Sequence, residues 1–320
     1  MTAPAETKIY YAMALDPIHV GTGGYRLGRV DLSIVREPGT NLPKLPGTSL
    51  SGTCRAYAAM VTGRYNWTEN GKPGSCAGQG QEDTQNNKAG HCGKHTCPVC
   101  IAFGFARNAS GFQGLAQFAD VHLLFFPVHS LAGQVWATCP AVLQGAGLAD
   151  TNFSEPAENQ IRLGIALTVS QNRLNLGWLM LKTESTPFQL DNPGLPIPNE
   201  ITRHSVLVPN KLFAQIVNDN LEVRTSVSIN PETGAAEEGA LFTYEAIPRS
   251  AILWFSITFL KPEFFKINGR NVPAPSINGQ PTTVQDVVEQ GLAQFEHLGI
   301  GGMNTRGMGR LKIYLSGQGR

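Results

Sequence analysis

Four of the six cysteines in this 320-residue chain fall between Cys76 and Cys100. They overlap a stretch, Asn66 to Gly90, that is too polar and glycine-rich to hold itself together by burial. A segment of that kind needs another source of folding energy. The pattern Cys92-x4-Cys97-Pro-Val-Cys100 supplies one, because thiolates at C-x2-C spacing can share a tetrahedral zinc ion. Four protein ligands leave no position for a substrate, so the zinc reads as structural. Cys92, Cys97 and Cys100 provide three ligands. Cys76 is the choice for the fourth, with His91 and His95 as alternatives, whereas Cys54 and Cys139 sit among apolar residues and read as core cysteines. Crowding of this sort is not the spacing of a secreted disulfide framework and points to a reduced, cytoplasmic protein.

Hydrophobic residues make up 42% of the chain and charged residues 15%, while glycine (35) and proline (21) are abundant. Such a balance excludes intrinsic disorder and a coiled coil, and favours short strands and shaped loops over a helical bundle. A formal net charge of +1 creates no global field for a polyanion, so a nucleic-acid surface would have to come from local segregation of charge. Two stretches segregate it. Arg26, Arg29, Arg36, Lys44, Arg55 and Arg64 lie near only Asp31 and Glu37, and Arg306, Arg310, Lys312 and Arg320 follow Glu296 with no acid among them. The plainer reading is a set of scattered solvated faces. Met1 to Lys8 lacks an apolar run, and Val121 to Leu143 is broken by His122, Pro127, His129 and Gln134, so neither export nor a membrane span is expected.

Alternation around Ile9, Tyr11 and Met13 predicts a strand over residues 8–20, and Arg29 to Arg36 a second, short one. Ser49 is the expected N-cap of a helix through Arg55, Tyr57 and Met60. Val121 to Phe126 and Gln134 to Thr138 read as paired strands, Ala251 to Leu260 and Leu311 to Leu315 as further strands, and Val284 to His297 as a helix. Glu222 to Ile229 and Ala240 to Tyr244 flank the turn residues Asn230-Pro-Glu-Thr-Gly234, which predicts a protruding β-hairpin. Ala141 to Asp219 shows no dominant period. The mixture, without regular βαβ spacing, indicates the α+β class.

Gly299 to Arg310 follows a predicted helix and precedes a strand, which is the reverse of a dinucleotide-binding turn, and no P-loop pattern is present. Backbone amides opened by glycines beside Asn304, Arg306 and Arg310 suit the phosphates of an extended polynucleotide. Thr48 and Ser49 at the head of a helix near Arg55 form a second possible anion site, and simple capping is the alternative. Asp31 stands among arginines, which favours its ionised form and fits a structural salt bridge, a metal ligand or a base at a phosphodiester. No second carboxylate is spaced for a two-metal nuclease, so cleavage of RNA by its own 2′-OH suits the site better.

The runs Arg26-Leu-Gly-Arg-Val-Asp31 and Leu45-Pro-Gly-Thr-Ser-Leu-Ser-Gly-Thr-Cys-Arg55, with Phe118 to Gly133, Cys97 to Gly104, Gly239 to Pro248 and the C-terminal glycine loop, resemble the RAMP superfamily. The likeness is to the repeated backbone subunit of type III CRISPR effector complexes, nearest the type III-B form with a zinc knuckle like that of type III-A. Ser51 and His129 depart from the family pattern, which usually has Lys and Arg there. The resemblance implies a single RAMP domain over residues 1–320: a ferredoxin-like (RRM-like) palm, a zinc-binding insertion at residues 62–107 and a β-hairpin thumb at residues 222–245. It also implies guide contacts at Arg26, Arg29, Arg36, Ser49, Arg55, Asn304, Arg306 and Arg310. Copies of the chain would stack along one CRISPR RNA with other type III subunits. Each would cut the paired target RNA beside a thumb-induced kink, with Asp31 and a catalytic magnesium ion at the scissile phosphate. The competing expectations are a backbone subunit that binds both RNAs without cutting, and a CRISPR RNA-processing ribonuclease built on His19.

Overall fold

The computed structural model describes residues 3–23, 30–69, 71–78, 89–107, 110–148, 153–190, 195–277 and 279–315. Arg26 and Arg29, two of the expected RNA contacts, lie outside the described residues. In chain order the main elements are β1 (Ala5–Ala14), α1 (Gly47–Val61), α2 (Pro98–Phe103), β2 (Val121–Ser130), β3 (Gly133–Thr138), β4 (Gln160–Leu163), β5 (Arg173–Leu176), β6 (Leu179–Thr183), β7 (Ser205–Leu207), α3 (Asn210–Asp219), β8 (Glu222–Ile229), β9 (Ala236–Ala246), β10 (Ile252–Leu260), α4 (Val284–Ala293), α5 (Phe295–Leu298) and β11 (Leu311–Tyr314). Mixed helix and strand around one large sheet bears out the α+β class.

That sheet runs β5-β6-β4-β7-β3-β2-β10-β1-β11, with short strands Lys44–Leu45 beside β2 and Ala116–Phe118 beside β10. At one end β2, β10, β1 and β11 each run antiparallel to their neighbours, and α1 and α4 are the crossovers from β1 and from β10. The two helices pack on one another closely enough that a Cβ on Gly291 of α4 would lie 2.5 Å from the Cys54 carbonyl oxygen of α1. Only glycine fits there.

Which face of β1 is buried differs from the expected phase. Tyr10, Ala12 and Ala14 are the buried set, while Ile9 is 44% exposed. Small alanines on the helix side let α1 and α4 approach, and the Tyr10 ring stacks on Phe255 with its hydroxyl donating to Glu289 of α4. Tyr11 and Met13 are apolar because they pack on a second core behind the sheet, built from Leu124, Phe125, Trp136, Leu143, Phe188 and Ile197. Much of that second layer comes from the stretch 141–219. Its strands are short, which explains why no period stands out.

Four further expectations need correction. Residues 30–36 form no strand; they make isolated bridges with three different partners, Gly21↔Ile34, Leu32↔Tyr244 and Arg36↔Pro43, because the segment is wedged between two loops and the base of the hairpin. Ser49 is not a cap. Helix α1 starts at Gly47 after Pro46, and the Gly47 amide donates to Asp120 Oδ1 at 2.7 Å. The predicted helix over 284–297 is two helices broken at Gln294, the first opened by a Thr283/Asp286 capping box. The hairpin is longer than predicted on its second strand and carries a bulge between Val227 and Ile229. Among the described residues no helix is long and apolar enough to cross a membrane.

Candidate functional site

The hairpin β8–β9 forms its own two-stranded sheet, and its base is where chain segments far apart in sequence meet. Asp31 accepts two hydrogen bonds at one oxygen, from the Thr243 amide at 2.7 Å and the Thr243 hydroxyl at 2.8 Å. Both bonds favour the charged form and hold its carboxyl below the usual aspartate range. The expected salt bridge to arginine is not formed: among the described residues no cation pairs with Asp31. Arg36 instead makes a two-point ion pair with the buried Glu245, at 2.6 and 2.9 Å, and donates to Asn218 as well. Glu245 also accepts the Ile34 amide. The Arg36 guanidinium is thus turned inward and occupied by groups of its own chain.

His19 is buried beside this junction, its Nδ1 donating to the Glu245 carbonyl at 2.6 Å and its ring set edge-on to Tyr244. The imidazole is thus enclosed within the fold and tied to the hairpin base. The glycine loop folds back over the same place. The Gly302 amide donates to the His19 carbonyl, and a Cβ on Gly301 would sit 2.3 Å from that oxygen. Met308 is buried against Tyr244 and Ala246, with Met303, Phe242 and Leu32 around them.

Within this loop the predicted contacts have different settings. Asn304 clips the loop shut through a bond to the Leu298 carbonyl at 3.1 Å. Arg310 is half-exposed but paired with Asp16 through two bonds of 2.6 and 3.0 Å. Arg306 is exposed, and no described acid pairs with it. Asp31, the hairpin base and the glycine loop are thus brought together. Ser49 and Arg55 are not: the head of α1 already holds the Asp120 carboxylate, itself paired with Lys44, and Arg55 points into the cysteine-bearing segment. The anion site expected there is filled from within the chain, and Arg55 is no surface contact.

Beyond its base the hairpin exposes apolar side chains. Val227 and Leu241 are opposite one another in register, on the face that carries Thr243, and Leu241 is 66% exposed. Unburied branched side chains on a two-stranded ribbon suit contact with a partner surface more than they suit solvent.

The four-cysteine cluster is a separate centre. Cys97 precedes α2, Cys100 sits in its first turn, Cys92 lies on the preceding loop, and Cys76 follows the Trp67–Glu69/Lys72–Gly74 hairpin. All four sulfurs lie within 4.8 Å of one another and are buried. Individual separations are 3.7 Å (Cys92–Cys100), 3.8 Å (Cys76–Cys97) and 3.9 Å (Cys76–Cys100). A tetrahedron of sulfurs bonded at about 2.3 Å to one ion has edges of about 3.8 Å, so the donor set fits a single metal ion. Cys76 is the fourth member of the cluster. His91 and His95 both lie outside the cluster, and His91 Nε2 bonds the Gly78 carbonyl. Cys54 and Cys139 are free, buried core residues as expected.

Thr243, Glu245 and Asp120 were not singled out in the sequence, where each is one ordinary polar residue in a strand or a turn.

A family model described as the RAMP superfamily matches residues 11–312. The chain is 25% identical over 324 residues to the CRISPR system Cmr endoribonuclease Cmr4 of Pyrococcus furiosus, spanning 94% of this chain and 92% of that protein. Among solved structures, the fold is similar to a chain of the type III-B Cmr-beta complex in its apo state, with a TM-score of 0.64, 13% identity and 98% of each chain covered. It is also similar to oligomeric Cmr4 from Pyrococcus furiosus, with a TM-score of 0.53, 20% identity and 96% of each chain covered.

Proposed function

The chain belongs to the RAMP superfamily, and from that premise we propose that it is a repeated backbone subunit of a type III CRISPR effector complex that binds CRISPR RNA and cuts the target RNA paired with it. Its partners are the guide, the target, further copies of itself and the other effector subunits, in the cytoplasm. The spatial order β2-β10-β1-β11 with crossovers α1 and α4 supports a ferredoxin-like palm, the β8–β9 hairpin a thumb, and residues 62–107 an insertion held by a structural zinc ion on Cys76, Cys92, Cys97 and Cys100.

One observation carries the cutting role: the Asp31 carboxylate is held ionised at the root of a hairpin whose apolar face is exposed. The hairpin splays the guide–target duplex, and the target strand at its base presents a 2′-hydroxyl to its own phosphodiester. A carboxyl below the usual range is a weak general base at neutral pH, so Asp31 acts by charge and position. Its Oδ1 accepts no hydrogen bond from a described residue and remains available to hold magnesium with the RNA phosphate, which fits a cation that takes few protein ligands. Magnesium bound there would neutralise charge developing on the phosphate. Arg306 meets the guide backbone beside the glycine loop.

The same Thr243 bonds favour a second reading, in which Asp31 only anchors the hairpin of a non-cutting subunit. Asp31→Asn separates the two. It keeps an oxygen for Thr243 and removes the charge, so the reconstituted complex should bind target normally and stop cutting at its regular spacing. Wild-type cutting by this variant would leave the anchoring reading.

A further inference from the structure

We infer that Arg55 is the half-buried counter-charge of the four-cysteine metal centre, a positioning residue that locks the centre to helix α1. The inference rests on the zinc reading above. Four thiolates around a divalent ion leave a net double negative charge, and all four cysteines are buried. A charge of that size in a water-poor site requires a cation close by.

Arg55 reaches the centre from α1. Its Nε donates to the Cys76 carbonyl at 2.6 Å and its Nη1 to the Phe103 carbonyl at 3.3 Å, at the end of the helix that bears Cys100. Two of its nitrogens therefore hold backbone on either side of the sulfurs. The third, Nη2, is buried and has no hydrogen-bond partner among the described residues. No described carboxylate pairs with Arg55, so the charge of the loaded cluster can serve as its counter-ion. Each supplies what the other needs. A loaded centre sets its net negative charge beside the guanidinium, and outer contacts of this kind orient thiolate ligands and hold them.

Arg107 is the second cation at the site. Its Nη1 donates to the Cys92 carbonyl at 2.9 Å, from a half-buried position. Together the two guanidinia balance the charge of the loaded centre. The arrangement also ties metal occupancy to α1, and through α1 to the sheet. Loss of the ion would leave the Arg55 charge with no anionic partner among the described residues.

The test uses the full chain, loaded with zinc and, separately, with cobalt(II). Zinc release to a chromogenic chelator and the thiolate-to-cobalt charge-transfer absorbance are followed for wild type, Arg55→Met, Arg55→Lys and Arg107→Met. Removing the charge in Arg55→Met should weaken metal retention by about tenfold or more, while Arg55→Lys, which keeps the charge, stays within about threefold of wild type. An Arg55→Met protein that holds zinc like the wild type overturns the inference. So does an Arg55→Lys protein as leaky as Arg55→Met, since packing rather than charge would then be at work. If Arg55→Met fails to fold, Arg107→Met should release zinc faster than Arg55→Lys, and the opposite order overturns the proposal. A wild-type chain that takes up neither ion sinks the zinc reading itself, which a leaky or unaffected variant does not.

Discussion

Asp31 and Thr243 grip one another at three points: Oδ2 of Asp31 accepts the amide and the hydroxyl of Thr243, and the Asp31 amide donates back to Thr243 Oγ1 at 3.1 Å. The residue proposed to face the scissile phosphate is therefore also the residue that fixes where the hairpin stands. Thr243→Val should expose that double duty. It keeps the Asp31 charge but removes the hydroxyl, so cleavage by the reconstituted complex should fall by about tenfold with target affinity unchanged, the loss typical of a slightly misplaced group. Full-rate cutting by this variant would detach catalysis from the clamp. Because the Asp31 carboxyl lies below the usual range, it should impose no titration on the cleavage rate between pH 5 and 8, as read from a pH–rate profile.

Glu245 and Arg36 predict a stability effect without a catalytic one. Their ion pair is largely shielded, with side-chain exposures of 6% and 22%, and Glu245 also receives the Ile34 amide. Glu245→Ala should cost about 3–5 kcal/mol in urea unfolding, because it strands the guanidinium and an amide together. A loss under about 1 kcal/mol would mean that water or another group replaces the pair.

Acid should unfold the chain through carboxylates held in their charged form. Arg310 hydrogen-bonded to Asp16 keeps that group low, and despite the opposing pull of burial, Lys44 and the Gly47 amide keep Asp120 low. Folded values below the unfolded ones mean that the unfolded chain binds more protons. Their contribution is complete above the unfolded aspartate pKa near 4 and is lost as pH falls through the folded values. Denaturation midpoints should thus be flat from pH 5 to 7 with respect to these groups and drop below about pH 4. Asp120→Asn should flatten the drop.

RNA binding should divide the two loop arginines. Arg306→Ala removes an exposed cation and should lower the salt slope of guide binding by about one. Arg310→Ala should change it less, since Asp16 already neutralises that charge, and Asp16→Asn should strengthen binding by releasing it. Equal slopes across all three variants would assign the loop to packing.

Metal analysis should give about one zinc per chain, lost in Cys76→Ser and kept in His91→Ala, because His91 bonds the Gly78 carbonyl and stands outside the sulfur cluster. Zinc loss in His91→Ala with Cys76→Ser still loaded would reverse the ligand choice.

Short-range signals were legible in the sequence. Cysteine spacing located the metal centre, Asn230 to Gly234 located the hairpin turn, and the glycine run located the loop that covers its base. What escaped notice were long-range partners. Arg36 and Arg55 look like free cations in a basic stretch, yet Glu245 lies 209 residues from Arg36, and the carbonyls that hold Arg55 belong to the insertion. Charge counting along a chain cannot tell an occupied guanidinium from an open one. The phase of β1 was misread for a related reason: both its faces are covered, so the apolar alternation marks a second core.

The pairing of β1 sets the order in which the molecule can assemble. Ala5 aligns with Leu260 and Tyr11 with Tyr314, so this interior strand of the sheet finds neither neighbour until the distant parts of the chain have been made. On the ribosome, the cysteine cluster can close from contacts within 25 residues while the strand that will organise the sheet stays open-edged. High contact order of this type makes folding slow and leaves an unpaired edge exposed to neighbouring nascent chains. A subunit of the proposed kind would therefore face its greatest risk of wrong pairing during synthesis, before any RNA is bound.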